Sequence, residues 1–173
     1  MLDTILGLPA HPLLVHGTVV LLPLTALLVA WVSWKPRAWA RAGLPLTLLA
    51  LLMTGLAFAT KQAGELLADR LGAEGDELVR AHEELGELVP ILTVPLALCA
   101  IAMWVLARRR RTDDGDPHTG ARPARVAFAA TPLERVVALF STLIAATVIV
   151  WTIRAGHTGA EAVWMDTVID TVT

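Results

Sequence analysis

Charged side chains are scarce in this 173-residue chain, and they are missing altogether from four long runs. Only 17% of the residues are Asp, Glu, Lys or Arg, whereas soluble domains carry about a quarter. No such residue occurs over residues 4–34, 42–60, 88–107 or 136–153. Uncharged apolar runs of this length predict membrane-spanning helices. Four of them exclude a water-soluble enzyme.

Several other features are absent, and each absence excludes a class of protein. Cys99 is the single cysteine and falls within the third run, which excludes a disulfide framework and a thiolate-ligated metal site. The net charge is −2, and no extended basic surface indicates nucleic-acid binding. Phosphate-loop, nucleophile-elbow and dinucleotide motifs are missing. Gly86 stands where a zinc-protease motif beginning at His82 would need its second histidine.

We therefore predict an all-α, multi-pass protein of the cell membrane, folded as a single four-helix bundle. The predicted spans cover residues 11–33, 42–60, 82–106 and 132–153, and a polar, mobile loop covers residues 108–125. The second helix is expected to continue as an amphipathic helix through Leu71. A turn is expected over residues 72–76, and a tail follows the fourth span.

The distribution of basic residues predicts the orientation in the membrane. Ten of the fourteen Lys and Arg residues lie in the connector after span 1 and in the loop between spans 3 and 4. Because basic loops stay on the inner side, both termini are expected on the outer side. Tryptophans 31, 34 and 104 then lie at the inner ends of their spans, where indole rings favour the interface.

Four of the five histidines are expected at the outer end of the bundle. His11 and His16 lie at the outer end of span 1, His82 at the start of span 3, and His157 just beyond span 4, whereas His118 falls in the inner loop. Polar titratable groups near hydrocarbon usually face the bundle interior. Helical bundles build cofactor and metal sites from such groups.

A plainer interpretation of the histidines is also open, because polar side chains at span ends commonly lie in the headgroup region. His16 fits that interpretation least, since it lies about 7 Å deeper than His11 at a helical rise of 1.5 Å per residue. The carboxylates of Glu65 and Glu161 are the candidates to orient a ligating imidazole by hydrogen bonding.

Three functions compete at this point. The first is a b-type haem electron-transfer protein, with His16 and either His82 or His157 as axial ligands. The second is a divalent zinc or copper site formed by three or four of the imidazoles of His11, His16, His82 and His157 together with a carboxylate. The third is a non-catalytic membrane subunit. Five helical steps rotate His16 by about 140° from His11, which makes one ion shared by both awkward and favours haem.

The sequence also resembles a bacterial family of four-span membrane proteins catalogued as domain of unknown function 2231. The resemblance lies in a paired-histidine opening, a pair in span 2, a histidine that opens span 3 and a glycine-rich segment after span 4. These are Leu8-Pro9-Ala10-His11-Pro12-Leu13-Leu14-Val15-His16, Thr54-Gly55, His82, and Gly156-His157-Thr158-Gly159-Ala160.

The resemblance implies a link to electron transfer, because family members are often fused to or found near Rieske or c-type cytochrome modules. A redox protein or a quinone is then the expected partner within the lipid bilayer, and a homo-oligomer stays open. Whether the protein is an enzyme is left undecided by the sequence.

Overall fold

The computed structural model describes residues 4–72, 76–113 and 130–172. The described chain opens with a small antiparallel hairpin, β1 (Thr4–Ile5) and β2 (Leu8–Pro9). Both residues of its turn have positive φ, 52° at Leu6 and 83° at Gly7, as type I′ turns require. Four helices follow: α1 (Ala10–Ser33), α2 (Pro36–Leu71), α3 (Glu77–Asp113) and α4 (Pro132–Val172).

The four helices pack as a closed bundle. Each helix contacts the next one in the chain, and α4 returns to contact α1, so α1 and α3 face each other across a diagonal. All four are long and apolar enough to cross a membrane. The predicted all-α, four-span, multi-pass membrane architecture is confirmed, and the side on which the termini lie stays a prediction.

The outer surface of the bundle is apolar, and its centre combines large side chains such as Leu22 and Met103 with many alanines. Leu24, Leu52 and Leu143 are more than half exposed, and in a bilayer such residues face lipid. Ala26 and Ala100 in the centre are fully buried. Small residues let membrane helices approach closely, since there is no hydrophobic effect between them in lipid.

Three of the helices are longer than a membrane is thick. Helices α2, α3 and α4 contain 36, 37 and 41 residues, whereas about 20 residues span the hydrocarbon core. They therefore extend beyond it. We call the end of the bundle where α1 and α3 begin the histidine end, and the end where α2 and α4 begin the arginine end.

The ends of the first two helices follow from local chemistry. Pro36 occupies the first turn of α2, where the missing N–H has no helical partner to lose. The buried Trp39 indole N–H donates to the Val32 carbonyl near the end of α1, at 3.0 Å. Gly72 ends α2 with a φ of 63°, a left-handed conformation that glycine adopts without strain. The predicted continuation of α2 through Leu71 is confirmed.

Two predicted boundaries are corrected by the structure. Helix α3 continues to Asp113, so residues 108–113 are helical although the sequence assigned them to a loop; residues 114–129 lie outside the described part of the chain. Helix α4 continues to Val172, so residues 154–172 extend the helix. The segment Gly156–Ala160 is consequently helical, and His118 lies outside the described residues.

Helix α3 extends because its arginines have partners on neighbouring helices. Arg110 Nη2 lies 2.6 Å from Glu134 Oε1, and only 3% of the Glu134 side chain is exposed. Arg111 donates to the Ala40 carbonyl of α2 at 2.8 Å. Glu134 also accepts from the Thr131 N–H, while the Glu134 N–H donates to the Thr131 hydroxyl. This capping box begins α4 and places the carboxylate against Arg110.

Replacing Arg110 by alanine is expected to destabilise the bundle more than Glu134→Gln. The first substitution leaves a buried carboxylate without its cation, a cost of about 1–3 kcal/mol for an unsatisfied buried group, whereas the glutamine leaves no charge and still accepts from Thr131. Thermal unfolding of the two variants in detergent measures the difference. A larger loss of thermal stability in Glu134→Gln than in Arg110→Ala would contradict the stabilising role of the ion pair.

Candidate functional site

His11 lies in the first turn of α1 and reaches across to α2. Its Nδ1 is 2.9 Å from the carbonyl oxygen of Thr60, and the ring is half-buried. Beneath it, the Thr18 and Thr60 hydroxyl oxygens lie 2.8 Å apart. The two hydroxyls therefore connect α1 to α2 at a position deeper in the bundle than His11.

His82 makes the corresponding contact between α3 and α4. Its Nδ1 is 2.9 Å from the carbonyl oxygen of Ala155, and the ring is again half-buried. The Thr158 hydroxyl lies 3.5 Å from the same nitrogen. Each histidine thus comes from the start of an odd-numbered helix and contacts the next helix in the chain.

These contacts decide which ring nitrogen carries the proton. A carbonyl oxygen only accepts hydrogen bonds, so Nδ1 of His11 and Nδ1 of His82 must each carry the hydrogen. In the neutral ring the lone pair then lies on Nε2. This is the tautomer in which metal-ligating histidines are held when a carbonyl accepts from their other nitrogen.

A glycine makes room for each ring. An added Cβ at Gly64 would lie 2.8 Å from His11 Cε1, and one at Gly159 would lie 2.8 Å from His82 Cε1. Each glycine follows the accepting carbonyl by four residues, at Thr60 and Ala155. Because a helical Cα–Cβ bond tilts toward the helix N-terminus, a side chain at that position would cover the carbonyl. The same three-part arrangement therefore occurs twice in the bundle.

The two rings meet across the diagonal between α1 and α3. Their centroids are 6.0 Å apart and the ring planes are inclined by 75°. They line a cavity of about 70 Å³. Most of its other walls are apolar, and the polar lining comes from three threonines and a lysine: Thr18, Thr60, Thr152 and Lys61.

The other two candidate histidines lie outside this cavity. His16 is exposed on α1 and its Nδ1 contacts the Pro12 carbonyl of its own helix. His157 is 73% exposed, and its Nε2 lies 3.4 Å from Glu161 Oε1, one turn further along α4. The structure thus brings together two of the four predicted residues, His11 with His82. The rotation between His11 and His16, about 140° for five residues, explains why the second histidine of α1 faces away.

The candidate carboxylates lie elsewhere as well. Glu65 is paired with Lys61 on α2, and Glu161 with His157 on α4. The groups that accept from the two cavity imidazoles are main-chain carbonyls of Thr60 and Ala155. Sequence reasoning missed these acceptors, because every residue has a carbonyl. The sequence signal for each acceptor was a glycine on the accepting helix, Gly64 on α2 and Gly159 on α4.

The donor set at this site is small. In the part of the chain that the structure describes, no group of three or more His, Cys, Asp or Glu side chains is close enough to share a metal ion. A metal here would therefore have two protein ligands of these types, the Nε2 atoms of His11 and His82.

Comparison with known proteins identifies the family. The family model described as "Predicted membrane protein (DUF2231)" matches residues 7–171, so the chain belongs to this family of membrane proteins. Neither the curated proteins nor the solved structures contain a match.

Alanine at Gly64 or Gly159 is expected to displace the neighbouring imidazole and break its bond to the carbonyl. Overpacking of this kind costs about 1–3 kcal/mol. Gly55→Ala on the same helix as Gly64 is the matched control, since its Cβ would meet nothing within 4 Å. That control should be neutral or stabilising by up to about 1 kcal/mol.

Nitrogen-15 NMR of the histidine rings, together with thermal unfolding, tests this expectation. In the wild-type chain the rings of His11 and His82 should both carry the proton on Nδ1, and each glycine variant should lose this state at the ring next to the substituted glycine. Unchanged ring signals in both variants would contradict the assigned hydrogen bonds.

Proposed function

We propose that this membrane protein of the DUF2231 family binds a one-electron metal centre through Nε2 of His11 and Nε2 of His82, and that it transfers electrons at the histidine end. The observation that carries the proposal is the pair of facing imidazoles, each held by a carbonyl in the tautomer that leaves Nε2 free. Neutral imidazole is a preferred ligand of copper, iron and zinc.

The spacing of the rings suits a shared metal. Two metal–nitrogen bonds of about 2.0–2.1 Å each, added to the two distances from Nε2 to the ring centre, give centroids roughly 6 Å apart when the rings lie on opposite sides of the metal. The observed separation is 6.0 Å. The spacing of the two rings is thus compatible with one shared ion when both Nε2 atoms turn toward it.

The cavity volume favours a single ion, and copper in particular. About 70 Å³ holds an ion with a water molecule or two, since water occupies about 30 Å³ in the liquid. Zinc sites in proteins use three or four protein ligands, whereas the monovalent copper ion is satisfied by two nitrogens. Two imidazoles can thus hold monovalent copper, and water in the cavity would complete the larger ligand set of the divalent ion.

Haem b is the second candidate, and the number of donors favours it. Haem iron takes four ligands from its macrocycle and two axial ligands from the protein, which His11 and His82 would supply from opposite helices. Pockets for ligands of this kind measure about 300–1,000 Å³. The 70 Å³ cavity does not fit the macrocycle unless α1 and α3 move apart.

Metal content and absorption spectra of the protein purified from copper- and haem-replete cells test the proposal. We expect close to one copper per chain, and at least a tenfold loss in His11→Ala and in His82→Ala. His16→Ala and His157→Ala are the matched controls and should retain the metal, because both side chains lie outside the cavity.

The outcomes separate the candidates. A Soret band with α and β bands that sharpen on dithionite reduction would replace copper by haem. A colourless protein that contains zinc would remove the electron-transfer function. Metal retained in both His11→Ala and His82→Ala, or a metal-free wild type, would overturn the site itself.

Metal binding is expected to weaken as the pH falls. The metal and the proton compete for Nε2, so binding should be present at neutral pH and should be lost progressively as the medium is made more acidic. Metal retention after dialysis at a series of pH values measures this; retention that does not change down to pH 4 would contradict imidazole ligation.

A further inference from the structure

A second, larger cavity lies between α2 and α3, next to the histidine cavity. It is an open groove of about 720 Å³, within the range of about 300–1,000 Å³ that is usual for small-molecule sites. Lys61 and Pro90 line both this groove and the histidine cavity. A molecule in the groove would consequently lie one side chain away from His11 and His82.

The groove is polar at one end and apolar at the other. Lys61, Gln62 and Glu65 of α2 and Glu87 of α3 line the end toward the histidine end, and Gly55, Phe58 and Ile91 line the part that runs into the uncharged spans. From Gly55 to Glu65 the groove is about 15 Å long, at a rise of 1.5 Å per residue. Its occupant should have a polar head and an apolar chain.

The charged side chains at the polar end of the groove determine which headgroup can bind there. Lys61 forms an ion pair with Glu65 and lies 3.9 Å from Glu87, so carboxylates outnumber the ammonium group. A phosphate headgroup would be repelled by the excess negative charge. A neutral head that both accepts and donates hydrogen bonds is favoured, because the ammonium and the Gln62 amide donate while the carboxylates accept.

Glycines leave open space beside the groove. Gly55 lines the groove and Gly86 lines the neighbouring histidine cavity, and an added Cβ at either would meet nothing within 4 Å. Pro90 has no N–H to donate to the Gly86 carbonyl four residues earlier, which leaves an acceptor at the boundary between the two cavities. A flat head can approach the helices closely here.

We propose that this groove binds a membrane quinone or quinol, with its head at Lys61 and Gln62 and its isoprenoid chain along Gly55 toward the lipid. The choice of a redox-active head rests on the proposed electron-transfer centre, since the head lies beside His11 and His82. The groove itself does not depend on a bound metal.

Photolabelling of the full chain in phosphatidylcholine nanodiscs tests the proposal, with an azidoquinone as probe and decylubiquinone as competitor. We expect labelled peptides from residues 55–62 and 87–91, displaced by the competitor. Gly55→Leu fills the groove and should reduce labelling at least tenfold. Ala146→Leu, at an exposed position on α4, is the matched control and should label as the wild type does.

Other outcomes overturn the proposal. Labelling that decylubiquinone does not displace, or that persists in Gly55→Leu, would exclude a quinone site; displacement by phosphatidylglycerol to the same extent would make the groove a lipid site. Ala59→Leu gives the same test if Gly55→Leu does not fold. Wild-type protein stripped of metal with a chelator should still be labelled, so failure of the metal site and failure of the quinone site are read separately.

Discussion

The hydrogen bond from a half-buried imidazole N–H to a helix carbonyl is the interaction on which the histidine end of this bundle depends. A helix carbonyl already accepts from the N–H four residues later, but its oxygen has a second lone pair. That lone pair is accessible at Thr60 and Ala155 because Gly64 and Gly159 carry no side chain over it. The same backbone acceptor thus sets the ring position and the tautomer of each histidine.

The same requirement for internal partners organises the rest of the bundle. Lipid offers no hydrogen bonds, so buried threonines such as Thr25, Thr47 and Thr152 donate to the carbonyl four residues earlier on their own helix. Because these threonines are satisfied within their own helices, they can lie in a core that is otherwise apolar. The packed helices leave a small cavity beside His11 and His82. Charged residues such as Lys61 occur just beyond the ends of the uncharged spans.

Local composition predicted the helices correctly inside the hydrocarbon core. It failed at helix ends that are stabilised by residues distant in the sequence. The uncharged runs located all four helices, and the glycine after Leu71 located the end of α2. The run of arginines after residue 107 has the composition of a loop, yet it is helical because Arg110 and Arg111 have acceptors on α4 and α2. Those acceptors are remote in sequence, so no local pattern shows them.

For the candidate site, the sequence by itself determined which histidines lie near one end of the bundle, because the thickness of the hydrocarbon core fixes how far each uncharged run extends. Only the tertiary structure decided that His11 and His82 meet while His16 and His157 face outward. The direction of a side chain depends on the rotation of its helix about its own axis. That rotation is set by contacts with neighbouring helices, here by two carbonyls and the two glycines that expose them.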